Sequence, residues 1–223
     1  MTQSTPDDDH DLVAGRFSSW LAEMQAALRG DRGSDVPCAG CTACCTSSQF
    51  IHIGPDETKT LSRIPADLLF PAPRMPKGHV VLGYDERGHC PMLVDNRCSI
   101  YQDRPRTCRT YDCRVFPAAG VAVDEVDKDL IRQRTRRWQF SFPSEVDRTR
   151  HAAVRAAAMF LEDHASLFPD GAGPSTPTQR AVLAIEVHDL FLQRDDANRL
   201  AVVEPDPNVV VEAVIRRSPA RGA

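Results

Sequence analysis

The chain has no cysteine outside residues 38–113, although about two thirds of its 223 residues lie beyond that stretch. No apolar run approaches the roughly 20 residues of a membrane span. The segment 1–10 is acidic rather than apolar, unlike a signal or transit peptide. A formal net charge of −4 gives no excess of positive charge for general binding to nucleic acid. We therefore expect a cytoplasmic protein without a membrane or nucleic-acid partner. A protein partner is considered below with the zinc alternative.

Eight cysteines are present, in two groups of four. Thiolate is the ligand that zinc and iron–sulfur clusters prefer, and eight thiolates are enough for two sites with four ligands each. Disulfides are the alternative, but the absence of an export signal and the adjacent cysteine pair in the first group argue against them. The predicted metal ligands are Cys38, Cys41, Cys44, Cys45, Cys90, Cys98, Cys108 and Cys113.

The first group has the spacing Cys-x-x-Cys-x-x-Cys-Cys, with Gly40 inside its first turn. Such turns place two sulfurs on the same side of a tight loop, which is compatible with a tetrahedral zinc site. Bacterial ferredoxins also have three cysteines at this spacing and a distant cysteine followed by proline, as Cys90 is followed by Pro91 here. Adjacent side chains such as Cys44 and Cys45 point apart and seldom chelate one ion together. The pair therefore favours two nearby metals or one larger cluster, unless some cysteines are simply buried apolar residues.

Arginines are concentrated around the second group: Arg97, Arg109 and Arg114 each adjoin a cysteine, and Arg106 lies two residues before one. Four thiolates and one divalent ion carry a net charge of −2. Nearby guanidinium groups would offset that charge and lower the pKa of the thiols. The alternative is that Arg104 and Arg109 bind an anionic ligand.

Other residues that carry chemistry are scattered. His52 and His89 are the histidines nearest the cysteines in sequence, and we expect them to be surface or packing residues rather than ligands. The basic segment 131–137, followed by Trp138, is expected to be a solvated helix face or to form internal ion pairs. No serine–histidine–aspartate order and no paired-carboxylate motif stands out, so no catalytic residue is predicted.

Hydrophobic spacing and turn residues predict an α+β fold. In it, a small irregular cysteine-rich metal-binding centre with short strands packs against mainly α-helical N- and C-terminal segments. Residues 1–33 are predicted to be a disordered tail and an amphipathic helix from Asp11 to about Leu28. Residues 34–120 are the predicted cysteine-cluster metal-binding domain, and 121–223 a C-terminal helical region.

Local patterns predict the elements of the centre and of the C-terminal region. A strand is predicted at 50–53, helical structure interrupted at Pro65 over 54–69, and a hairpin of 79–84 with 90–94 around the turn 85–88. A second turn is predicted at 95–96, and a helix beginning near Pro105 is predicted to carry Cys108 and to extend toward Cys113. Further helices are predicted over 144–168, capped by Ser144, over 178–193 and over 208–216.

The cysteines and their neighbours form one combined pattern: Cys38-x2-Cys41-x2-Cys44-Cys45, Cys90-Pro91 with Leu93, and Cys98-Ser-Ile-Tyr101-x2-Arg104-Pro105-x2-Cys108-Arg109. This pattern resembles the YkgJ-type cysteine-cluster family over residues 38 to about 117, and every cysteine position of the family pattern is filled. The resemblance implies a CxxCxxCC domain that chelates zinc or iron. One branch of the family includes flagellin lysine methylases, which use S-adenosylmethionine. This chain is shorter than those enzymes and has no Gly-rich loop after a strand for a nucleoside-containing cofactor.

We therefore predict a metal-cluster-binding protein with eight thiolate ligands. An iron–sulfur cluster is favoured over zinc ions because of the triple cysteine spacing, the distant Cys-Pro and the adjacent cysteine pair. One alternative is a structural two-zinc module that organises a surface for a protein partner. The other is an enzyme that modifies a protein side chain and is related to the flagellin lysine methylases.

Overall fold

A computed structural model describes residues 10–34, 36, 40–73, 75–123, 128–169 and 172–217 of the chain. The predicted disordered tail therefore falls largely outside the described residues. Helices and short strands are combined along the chain, which confirms the α+β prediction.

The chain forms two compact units. The first consists of the described residues of 1–23, 114–122 and 133–217, and the second of those of 24–113 and 123–132. All of the described cysteines belong to the second unit. No described helix has both the length and the apolar character needed to cross a bilayer.

A parallel pair of strands begins the first unit. Strand β1 (Leu12–Arg16) pairs with β7 (Trp138–Ser141), and helix α1 (Phe17–Leu28) follows β1 directly. The helix predicted from Asp11 is thus wrong over its first six residues, because residues 12–16 pair as a strand, in which Val13 is 82% exposed.

The other elements of the first unit are mainly helices. Helix α6 (Glu145–Asp163) begins with a capping box between Ser144 and Asp147, which confirms the predicted cap. The apolar stripe of α6 is buried at Ala153, Val154 and Leu161. The remaining elements are α4 (Val115–Ala119), α7 (Pro177–Val187), β8 (Leu192–Arg194), β9 (Leu200–Val202) and α8 (Pro207–Arg217).

Two of these elements bear on the local predictions. Helix α8 confirms the last predicted helix, whereas α7 ends at Val187 and not at Gln193. After α7 the chain forms a 3-10 turn and then strand β8, which pairs with β9. Helix α5 (Asp129–Arg136) includes residues of both units.

A three-stranded antiparallel sheet organises the second unit, in the order β2 (Ile51–Ile53), β4 (Val80–Leu82) and β3 (Leu69–Pro71). Helix α2 (Thr58–Leu61) and a 3-10 turn at Ala66–Leu68 lie on either side of Pro65, as predicted. One face of the sheet contributes to an apolar core that contains Ile53, Ile64, Leu82 and Ile100.

The cysteine-bearing hairpin is a different one from that predicted. Strand β4 pairs with β2 and β3, whereas β5 (Leu93–Val94) pairs with β6 (Arg97–Cys98). The hairpin turn is Asp95-Asn96, with φ angles of 49° and 57°, which are typical of the tight turns that join two antiparallel strands. The turn at 85–88 does form, with Asp85 N–H donating to the carbonyl of His89 over 2.8 Å. The predicted strand at 79–84 contains β4 and that at 90–94 contains β5, but β6 and the pairing of the strands were not predicted.

Candidate metal centre

Five thiols are brought together from three segments of the second unit. Cys44 and Cys45 lie in a 3-10 turn at Ala43–Thr46. Cys90 precedes the β5–β6 hairpin, and Cys98 ends it. Cys108 lies in helix α3 (Arg106–Thr110). The seven described cysteines are half-buried, and none of those seven forms a disulfide.

Backbone hydrogen bonds join these segments. The N–H of Cys90 donates to the carbonyl of Cys45 over 2.7 Å, and the N–H of Leu93 donates to the carbonyl of Cys90 over 2.9 Å. Leu93 is in turn the cross-strand partner of Cys98. These bonds join the first cysteine group to the β5–β6 hairpin and thus to Cys90 and Cys98 of the second group.

Burial and neighbouring thiols raise the pKa values of three of these cysteines, Cys44, Cys90 and Cys108. The hydrogen bond with the Cys45 thiol is the largest cause of the raised pKa of Cys44, followed by burial. Burial raises the pKa of Cys90, and the charges of Cys98 and Cys44 add to the effect. Burial, then the charges of Cys44, Cys90 and Cys98, raises the pKa of Cys108 to about 12. Placing thiolates this close together is unfavourable without a cation to neutralise them.

The other three predicted ligands lie outside the elements that carry these five cysteines, or outside the described residues. Cys41 lies two residues before the turn that carries Cys44, and Cys113 lies three residues after α3, outside the helix that was predicted to extend toward it. Cys38 is outside the described residues. Within the described ranges, no set of three or more His, Cys, Asp or Glu side chains already has the arrangement of a metal site.

Apolar side chains support the cysteine hairpin from behind. Cys90, Met92 and Cys98 pack against the core formed by Ile53, Leu82 and their neighbours. Because this core also contains the inner face of the three-stranded sheet, the sheet determines where the hairpin lies.

The C-terminal end of α3 holds the chain that enters the first cysteine group. The Ser34 N–H donates to the carbonyl of Arg109 over 2.6 Å, and the Ser34 hydroxyl donates to the carboxylate of Asp112 over 3.0 Å. Gly33 lies so close that an added Cβ would stand 3.4 Å from the carbonyl oxygen of Arg109. Helix α3 therefore contacts the approach to one group while carrying Cys108 of the other.

The arginines around the second group have partners within the protein. Arg104 lies over the ring of Tyr101, 4.1 Å from its centroid, and donates to the Tyr101 carbonyl. Its charge lowers the pKa of Cys108, against the larger effects that raise it. Arg106 pairs with Asp56, and Arg109 approaches Glu57 to 3.7 Å. Of these three arginines, only Arg104 is seen to act on a thiol, whereas Arg106 and Arg109 pair with carboxylates.

The two histidines near the cysteines in sequence have partners away from the thiols. The Nε2 atom of His52 lies 2.9 Å from Nδ1 of His79. The ring centroids are 5.1 Å apart and the planes differ by 14°, so the two imidazoles share one hydrogen bond. Burial lowers the pKa of His52, and the charge of His79 adds to that effect. His89 is fixed through its backbone N–H, which donates to the Asp85 carboxylate over 2.8 Å.

Sequence reasoning missed the groups that hold α3 in place. Glu57 is buried, and its carboxylate accepts from the backbone N–H groups of Gly54 and Arg106. The Thr107 hydroxyl donates to the carbonyl of His52 over 2.7 Å. An acidic residue just after Gly-Pro-Asp resembles an ordinary helix start, so nothing in the local pattern indicates its partner 49 residues away.

The donor set suits a thiophilic metal. Clustered thiols with raised pKa values stay protonated at neutral pH. A bound zinc or iron ion would replace their protons and neutralise the charge of the thiolates. Four other potential donors of the second unit, Asp56, Glu57, His52 and His79, are engaged in contacts of their own. The donors gathered at this place are thiols.

Comparison with known proteins gives the same indication. Residues 37–135, which include all eight cysteines, match the family model CxxCxxCC, described as "Putative zinc- or iron-chelating domain". No curated protein and no solved structure matches the chain significantly. Residues 37–135 are therefore similar to this zinc- or iron-chelating domain.

Proposed function

We propose that this protein binds an iron–sulfur cluster through its cysteines, with all eight thiolates as the ligand shell. The observation that carries the proposal is the grouping of five thiols. A main-chain hydrogen bond joins Cys90 to Cys45, beside Cys44, Leu93 pairs with Cys98, and the thiols that raise the pKa of Cys108 are Cys44, Cys90 and Cys98. A single tetrahedral zinc ion takes four ligands. A group of five thiols that includes both members of an adjacent pair is therefore better suited to a polynuclear site.

The eight cysteines are unevenly spaced, with intervals of eight, ten and five residues in the second group. Paired Cys-x-x-Cys turns are the usual source of four ligands for one structural zinc ion, and the second group has no such turn. Its cysteines come instead from the β5–β6 hairpin and the residues before it, from helix α3 and from the segment after α3. Ligand positions on a sulfide-bridged cluster lie farther apart than those on one ion, which favours iron over zinc.

The test is an analysis of iron, zinc and acid-labile sulfide in protein prepared without oxygen, with a visible absorption spectrum. We expect iron and sulfide in comparable amounts and a coloured protein. Cys44→Ser and Cys45→Ser should each lower the iron content, whereas His89→Ala, beside Cys90, should not. Stoichiometric zinc without sulfide would instead support two zinc ions, since zinc–thiolate sites are colourless.

A further inference from the structure

A buried carboxylate lies at the base of the helix that carries Cys108. Glu57 is 7% exposed and has its two oxygens engaged by different parts of the chain. Oε1 accepts from the N–H of Gly54 over 2.9 Å, and Oε2 accepts from the N–H of Arg106 over 2.5 Å. The guanidinium of Arg109 approaches the second oxygen to 3.7 Å.

The carboxylate of Glu57 accepts a hydrogen bond from the N–H of Arg106, which has no partner within α3. Arg106 is the first residue of α3, and Pro105 before it provides no side-chain cap. The first N–H groups of a helix have no partner within the helix, so Glu57 supplies one from the turn after β2. The Thr107 hydroxyl adds a second link, to the carbonyl of His52 in β2.

The turn is built to place this carboxylate. Glu57 N–H donates to the carbonyl of Gly54 over 3.1 Å. A Cβ at Gly54 would stand 2.6 Å from Oδ1 of Asp56, so a larger residue there would displace the Asp56 carboxylate. The turn brings the Glu57 carboxylate within reach of both the Gly54 N–H and the first residue of α3.

Helix α3 carries Cys108, one of the proposed ligands. Its Arg109 carbonyl accepts from the N–H of Ser34, which precedes the first cysteine group in sequence. A displacement of α3 would therefore move one ligand and break the contact with Ser34.

We infer that Glu57 is a positioning residue of the metal centre, which fixes the place of Cys108 by holding the first turn of α3 against the turn after β2. This inference rests on the proposed thiolate metal site. Glu57 itself contributes no bond to the metal, because both of its oxygens are engaged by backbone N–H groups.

The test is titration of the metal-free full-length protein with Co²⁺, whose thiolate absorption bands report both affinity and coordination geometry. In Glu57→Gln one carboxylate oxygen becomes an NH₂ group that must face a backbone N–H. A buried polar group without a partner is costly, so we expect Co²⁺ affinity to fall about tenfold or more, with an altered band shape. Asp56→Asn is the matched control: it removes the exposed ion pair with the side chain of the same Arg106 and should change affinity less than about twofold.

A double variant separates positioning from general damage. Proline is favourable at the first position of a helix and has no N–H. In Glu57→Gln the new NH₂ group would face the N–H of residue 106, and Arg106→Pro removes that N–H. Glu57→Gln with Arg106→Pro should therefore recover most of the affinity and the wild-type band shape. Equal affinity and identical bands in wild type and Glu57→Gln, or no recovery in the double variant, would overturn the inference. Absence of Co²⁺–thiolate bands in the wild type would overturn the proposed metal site itself.

Discussion

The backbone N–H of Cys90 donates to the carbonyl of Cys45 over 2.7 Å. These residues are 45 positions apart in sequence and belong to different cysteine groups. A bond between their main chains fixes the two groups relative to each other independently of the state of the sulfurs. The thiols can then lie near one another before a metal is bound, so that less ordering remains when it binds.

Metal binding should stabilise the second unit in particular. Its described apolar core has few fully buried members, Ile53 and Leu82 among them, and a small core gains much of its stability from bound metal. Chelation or Cys41→Ser should make the segment between Cys38 and Cys113 sensitive to protease, whereas helices α6 and α7 survive longer. The measurement is limited proteolysis with mass spectrometry. Uniform resistance after complete removal of metal would contradict this linkage.

Histidine should not contribute to the metal shell. His52 shares a hydrogen bond with His79, and His89 is held through its main chain. His52→Ala and His89→Ala should therefore retain the metal content of the wild type, although His52→Ala should cost about 1 kcal/mol of stability through the lost hydrogen bond. Elemental analysis checks the first point and urea unfolding the second. Loss of one metal equivalent in either variant would refute an all-thiolate shell.

Features set by neighbouring residues could be predicted from the sequence. The cap residue Ser144 and the spacing of Ala153, Val154 and Leu161 identify α6 because cap and apolar stripe lie within one segment. The parallel pairing of β1 with β7 joins Leu12 to Trp138. A local sequence pattern cannot predict a partner so distant in the chain. The residue types of the metal centre were likewise evident, whereas Glu57 and its bond to Arg106 depend on the tertiary fold.

We expect Asp147 to make the main electrostatic contribution to the stability of the first unit. It is fully buried and accepts from Nε of Arg16 over 3.0 Å, from the N–H of Ser18 over 3.1 Å and from the N–H of Ser144 over 3.0 Å. Burial by itself would raise the pKa of Asp147, but these hydrogen bonds outweigh it and hold the pKa well below its usual range. The contribution is therefore present above the unfolded pKa near 3.8 and is lost as the pH falls through the folded value.

Replacement of this carboxylate tests that contribution. Asp147→Asn keeps the size of the side chain but removes its charge and one acceptor, so we expect a loss of roughly 2 kcal/mol in the free energy of unfolding at pH 7. The control is Glu145→Gln in the same first turn, which loses only an exposed pair with Arg148 and should cost less than about 0.5 kcal/mol. Urea unfolding measures both variants. Equal losses of stability in the two variants would show that the buried hydrogen bonds of Asp147 contribute no more than an exposed ion pair.

His151 should make the stability of the first unit sensitive to mild acid. Its ring lies against those of Phe17 and Phe142, with centroids 4.9 and 4.8 Å away. Within the described part of the chain, its buried Nε2 atom has no hydrogen-bond partner. Burial lowers the pKa of His151 from 6.5, and the nearby charge of Arg155 lowers it further.

The sign of the pH effect follows from that lowered pKa. Below pH 6.5 the unfolded chain takes up a proton at this histidine while the folded protein does not, so stability falls as the pH decreases toward the folded pKa. His151→Phe keeps an aromatic ring in place and cannot titrate. Urea unfolding of both proteins at about pH 7, 6 and 5 should therefore show a smaller loss of stability in the variant. The difference between the two series isolates His151, because every other titrating group is common to both proteins. Parallel series would mean that His151 has the same pKa in the folded and unfolded chains.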